Sequence, residues 1–122
     1  MADFRVIIVT DRFDESVAFY SDQLGLPTVE EWDDVQGRGR IVRMFGDGCI
    51  ELMDRGAPTS PITIGVDIGT PASVDEFAAT LEARGLAIAA RPADQPWGHR
   101  NTAVLDPNGH RMIFWARLPE HG

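Results

Sequence analysis

Towards its C-terminal end the chain reads Gln95-Pro96-Trp97-Gly98-His99-Arg100 and, a few residues on, Asp106-Pro107-Asn108-Gly109-His110-Arg111-Met112-Ile113-Phe114-Trp115. Two indoles, two imidazoles and two guanidinium groups in so short a stretch admit two kinds of chemistry. Imidazoles joined by a carboxylate such as Glu51 suit a divalent cation, which needs about three protein ligands and an open coordination position. Indoles with arginines near them suit a flat molecule, held by stacking and oriented by charge. Other chemistries lack their residues. There is no Gly-x-Ser-x-Gly elbow, no phosphate-binding glycine loop ending in Lys and no dinucleotide fingerprint. The single Cys49 falls in a predicted strand and reads as a buried thiol.

The elements that position these residues must come from one core, since 122 residues are too few for two independent conventional domains. A hydrophobic fraction of 43% and a charged fraction of 25% belong to an ordinary globular protein. The net charge of −8 repels phosphate backbones, so nucleic acid is not an expected partner. The opening Met-Ala-Asp-Phe-Arg lacks the basic and apolar regions of a secretory signal, and no apolar run approaches the roughly 20 residues that span a bilayer. No membrane partner and a cytoplasmic location are the expectation.

Residues 6–9 form a β-branched strand ending at Asp11, where Asp-x-x-Asp reads as a helix cap. Phe13, Val17, Tyr20 and Leu24 then make one apolar helical stripe, and Gly25 stops it. Strands are predicted at 28–32, 40–45 and 49–53, with Gly37-Arg38-Gly39 as a hairpin tip and Gly46-Asp47-Gly48 as a turn. The proline- and glycine-rich residues 55–61 break every periodicity. The order then repeats. A strand at 62–68 leads to a helix from Thr70-Pro71, with Ser73 to Glu76 as a capping box, that runs to Arg84; strands follow at 86–90, 102–105 and 111–116. Asp106-Pro107-Asn108-Gly109 suits a type I turn. Laying 15–26 over 75–86 matches Ala18 with Ala78, Gly25 with Gly85 and Leu26 with Leu86, an offset of 60 residues that points to duplication. The reading is a first βαβββ module at 1–54, a linker at 55–61 and a second module at 62–122.

With Ser16-Val17-Ala18-Phe19-Tyr20 leading to Leu24-Gly25-Leu26, then Gly48-Cys49-Ile50-Glu51-Leu52, then Asp106-Pro107-Asn108-Gly109-His110-Arg111, the chain resembles the vicinal oxygen chelate superfamily. That superfamily comprises glyoxalase I, ring-cleaving extradiol dioxygenases, fosfomycin-resistance enzymes and bleomycin-resistance proteins. The resemblance spans nearly the whole chain. Gln95-Pro96-Trp97-Gly98 upstream of Asp-Pro-x-Gly is most similar to the bleomycin-resistance branch and its metal-free relatives. The resemblance implies an α+β fold of two tandem βαβββ modules, whose curved mixed sheets surround a cavity. It also implies a homodimer with a small-molecule ligand in the concave sheets.

Metal-dependent members of that superfamily place a His or Gln on the first strand of a module and a Glu on its last. Here the first-strand position falls on Phe4 or Arg5 in one module and between Pro61 and Thr63 in the other, none of them suited to a divalent cation. Glu51 matches the carboxylate of one last strand, and its counterpart is Ile113. One position of four survives, so no metal and no cofactor is expected unless His99 or His110 moves in. Strand alternation then puts Arg111, Ile113 and Trp115 on one inward face, with Cys49, Glu51 and Met53 inward on the earlier strand and Arg43 and Phe45 together on its neighbour. The resulting ligand-binding set is Trp97, His99, Trp115, Ile113, Arg111, Glu51, Phe45, Arg43 and Trp32. It suits a planar or cationic, antibiotic-like molecule that is bound and sequestered, with Glu51 as the anchor. The alternative is a lyase, isomerase or dioxygenase acting through a divalent metal or through Glu51 as acid/base.

Overall fold

The computed structural model describes residues 4–58 and 60–119. The chain divides into two units, Met1–Pro61 and Ile62–Gly122. In the first, β1 (Arg5–Thr10) leads to the helix α1 (Phe13–Val17), which continues as a π-helical segment (Ala18–Gln23). Strands β2 (Thr28–Asp34), β3 (Gly37–Arg43) and β4 (Cys49–Asp54) follow. The sheet order is β1-β4-β3-β2, with β1 parallel to β4 and the other pairs antiparallel. The second unit repeats this plan: β5 (Thr63–Asp67), α2 (Pro71–Ala83), β6 (Ala90–Asp94), β7 (His99–Leu105) and β8 (Arg111–Arg117), in the order β5-β8-β7-β6. The expected α+β fold of two βαβββ modules is therefore present.

Each core lies between a sheet and its own helix. In β4, Ile50 and Leu52 turn to the helix side and are buried, as are Ile8 on β1 and Val42 on β3. In β8, Met112, Phe114 and Ala116 do the same, and Phe114 meets Phe77 of α2 edge to face at 4.8 Å. Burying such side chains contributes about 1.5–3 kcal/mol each. The alternate residues of these strands are left for the opposite face, which is where the candidate site residues stand.

Five local expectations are corrected. The first helix starts at Phe13, so its capping place falls on Arg12 and not on Asp11. There Thr10 Oγ1 accepts the Arg12 N–H at 2.8 Å, and Ser16 Oγ donates to the Arg12 carbonyl at 2.7 Å. The helix then widens: the Leu24 N–H donates to the carbonyl of Phe19, five residues back, at 2.9 Å. That widening lets the adjacent Phe19 and Tyr20 both be buried, with their rings 4.8 Å apart, which a regular helical stripe does not provide. In the second helix the cap is Thr70, whose side chain accepts the Ser73 N–H at 3.1 Å, with Pro71 in the first turn.

The remaining two corrections concern strands. The β2–β3 hairpin turns at Val35-Gln36, leaving Arg38 and Gly39 inside β3. The sixth strand begins at Ala90, later than expected. As an edge strand it tolerates Pro92, which has no N–H to give, through a register shift between Ala90 and Ala93. Among the described residues no helix is long and apolar enough to cross a membrane.

Candidate functional site

The two sheets share one register. Glu51 pairs with Ile7 and Ile41, and Ile113 pairs with Gly65 and Ala103. By the same count Cys49 corresponds to Arg111, Met53 to Trp115, Arg5 to Thr63 and Gly39 to Asn101. Glu51 and Ile113 are thus equivalent positions, as the resemblance implies.

In the first unit Glu51 is already engaged. Arg5, one diagonal step away across β1 and β4, donates from Nη1 to its carboxylate at 2.9 Å. The Glu51 side chain is 12% exposed and that of Arg5 38%, so the pair is partly screened from water. Of the two first-strand candidates, Arg5 is the one on the carboxylate's own face. A fixed positive charge therefore stands where a metal ligand would have to be. The equivalent pair in the second unit, Thr63 and Ile113, offers no carboxylate or imidazole. Among the described residues of either unit, no three His, Cys, Asp or Glu side chains converge as a metal site. This donor set does not fit a divalent cation.

The histidines are committed elsewhere. His110 is buried, and its Nδ1 accepts the Ile62 N–H at 2.9 Å, so it holds the start of β5 in place. His99 lies on Trp115 as a parallel stack, with centroids 4.1 Å apart and an interplanar angle of 10°. The loop before His99 closes through Gln95 N–H to the His99 carbonyl at 2.7 Å and Gly98 N–H to the Gln95 carbonyl at 3.0 Å. Gly98 adopts φ 90°, which a side chain disfavours, and the tight turn leaves Trp97 63% exposed at its tip. A cleft of about 480 Å³ opens there, lined by Trp97, His99, Arg117, Leu118, Pro119 and Gln95 among others.

The structure thus gathers Trp97, His99 and Trp115, with Ile113 and Arg111 further along the same face of β8. The other expected residues belong to the first unit. Glu51 and Arg43 share a face, Phe45 is 43% exposed beyond the end of β3, and Trp32 lies at the outer hairpin. The Trp32 indole occupies the space above Gly39, where a Cβ would come within 2.0 Å of Cζ2. Three further residues belong to the picture: Arg5, Asn101 and Arg117. Asn101 stands opposite Trp115, and its Oδ1 is buried without a hydrogen-bond partner among the described residues. Arg117 pairs in register with His99 and lines the cleft. Continuing the alternation of Arg111, Ile113 and Trp115 by one step reaches Arg117, and counting back from the Asp106–Gly109 turn reaches Asn101.

A second cleft, of about 410 Å³, lies in the first unit beside α1 and the β2–β3 hairpin. Its charges are largely spent on one another. Arg38 binds Asp54 through Nε and Nη2 and Asp14 through Nη1, each at 3.0 Å, and Arg40 binds Glu31 at 2.6 Å. The hydrogen bond to Asp54, and then Asp14, holds the Arg38 guanidinium above the ordinary arginine range. Asp94 and then Asp75 do the same for Arg100 in the other unit.

Duplicated βαβββ modules in a common register carry polar and aromatic side chains on the face away from each helix. The chain belongs to the glyoxalase/bleomycin resistance protein/dioxygenase superfamily, whose family model matches residues 4–114. A glyoxalase/bleomycin resistance protein/dioxygenase from Nocardioides is similar at 22% identity and a TM-score of 0.77, covering 100% of this chain and 90% of its own. Lactoylglutathione lyase from Agrobacterium tumefaciens is similar at 21% identity and a TM-score of 0.74, over 94% of this chain and 92% of its own. TnmS3, an antibiotic binding protein from Streptomyces sp. CB03234, is similar at 22% identity and a TM-score of 0.77, over 98% and 97%. At these identities the likeness establishes the fold. No curated protein matches the chain.

Proposed function

We propose that this protein binds a planar small molecule without a metal and sequesters it, using the aromatic face of its second module. The observation that carries this reading is that the exposed Trp97 and His99, the latter backed by Trp115 in a stack at 4.1 Å, line a cleft of about 480 Å³. Each further ring contact contributes about 0.5–1.5 kcal/mol beyond the area it buries. The cleft falls within the range of small-ligand pockets, roughly 300–1,000 Å³. Glu51, held by Arg5, supports the metal-free part of the reading, since a guanidinium 2.9 Å from the carboxylate already offsets its charge and repels a cation brought to it. A protein of the same fold, TnmS3, is an antibiotic binding protein, which agrees with capture of a compound of that kind.

Tryptophan fluorescence tests the reading. Titration with planar polycyclic compounds should quench emission saturably with 1:1 stoichiometry, and Trp97→Ala should weaken the affinity several-fold. Quenching that never saturates, or affinity untouched by Trp97→Ala, rejects it. Stoichiometric zinc, nickel, iron or manganese in protein purified without chelators rejects the metal-free part. Homodimerisation accompanies the proposal, and a monomer in sedimentation equilibrium at micromolar concentration contradicts it.

A further inference from the structure

We propose that the molecule taken up beside Trp97 and His99 is a planar aromatic anion whose carboxylate or equivalent oxyanion is received by Arg117. This rests on the binding reading above and adds the charge class of the ligand.

Acidic residues outnumber arginines 19 to 11 in this chain, so an arginine has acceptors in excess. Arg5, Arg12, Arg38, Arg40, Arg91 and Arg100 all have ion-pair partners. Arg111 and Arg117 form no ion pair among the described residues. They leave β8 on one face, with Ile113 and Trp115 between them. Opposite, on β7, stand His99, Asn101, Ala103 and Leu105, none of them acidic. The carboxylate of Asp67, level with Trp115 on β5, is turned to its own loop, where it accepts the Gly69 N–H at 2.9 Å. Among the described residues no acidic side chain lines the cleft.

Arg117 lines the cleft, so a guanidinium without an ion-pair partner among the described residues stands beside Trp97 and His99 although the chain carries −8. Charges beyond a Debye length, about 8 Å at physiological salt, are screened, so the neighbouring guanidinium decides which ligand charge is accepted. A planar guanidinium receives a planar oxyanion through two parallel N–H bonds, and a ring attached to that oxyanion can then lie against Trp97 or the His99–Trp115 stack. A cationic ligand would meet Arg117 instead of a carboxylate.

Three probes with one ring system separate the possibilities: 2-naphthoate, 2-naphthamide and 2-naphthylmethylammonium, titrated calorimetrically into the full chain at neutral pH. Naphthoate should bind about five- to tenfold more tightly than naphthamide, the size of one partly exposed charge-assisted contact. The ammonium should bind weakest. Arg117→Gln should bring the naphthoate and naphthamide affinities together by weakening naphthoate the more, and Trp97→Ala should weaken both alike. Equal affinities, a preference for the ammonium, or a naphthoate preference that survives Arg117→Gln overturns the inference and leaves the binding reading standing. Absence of binding by all three probes overturns the binding reading, and the inference with it.

Discussion

The Arg5–Glu51 pair can be weighed by removing each partner singly and both together. At 2.9 Å the bare Coulomb attraction is about 1.4 kcal/mol at the dielectric of water and about 6 kcal/mol at an effective value of 20. With side chains 38% and 12% exposed, the pair stands between those limits, and desolvating Glu51 offsets part of the gain. A net coupling of about 1–2 kcal/mol follows, above the 0.2–1 kcal/mol of freely exposed pairs. Urea denaturation of wild type, Arg5→Gln, Glu51→Gln and the double variant measures it as a double-mutant cycle. Each single variant should lose about 1–2 kcal/mol, and the double variant should lose less than their sum. The coupling should shrink in high salt. Strictly additive losses would mean that Glu51 is free of Arg5, and the argument against a metal at that carboxylate would go with them.

Two other substitutions probe the framework. Gly39→Ala places a methyl group 2.0 Å from Trp32 Cζ2, so the indole must leave its seat; a loss of about 2 kcal/mol with a red shift in tryptophan emission is expected, and an unchanged melting curve refutes the contact. His110→Ala leaves the Ile62 N–H without its acceptor and opens a buried space; a loss of about 2–4 kcal/mol by denaturant titration is expected, and a loss under 0.5 kcal/mol refutes the role given to the imidazole.

Alternation made much of this molecule legible in its residues. Ile50 and Leu52 against Cys49, Glu51 and Met53, or Met112 and Phe114 against Arg111, Ile113 and Trp115, read directly as the two faces of strands, and the structure keeps them so. The repeat was legible because each helix ends in Gly-Leu and each module closes on a strand of the same register. What could not be read depended on neighbours distant in the chain. The Arg5–Glu51 bond spans 46 positions, and the Nδ1 of His110 is taken by a backbone N–H 48 positions away. Nothing in the neighbouring residues of His110, which stands between turn and strand, announces that it is 3% exposed. The π-helical widening after Val17 escaped a periodicity count because such a count assumes 3.6 residues per turn throughout.

The pleat of β8 divides labour along a single strand. Met112, Phe114 and Ala116 anchor the strand to its helix, while Arg111, Ile113, Trp115 and Arg117 contribute little to that anchorage. Chemical taste can therefore drift at every second residue while the foundations stay fixed, and a new specificity costs the fold little stability. A library randomised only at those four positions and at His99 and Asn101 should yield mostly folded variants with altered appetites, and this makes the second module a practical starting point for tailored sensors.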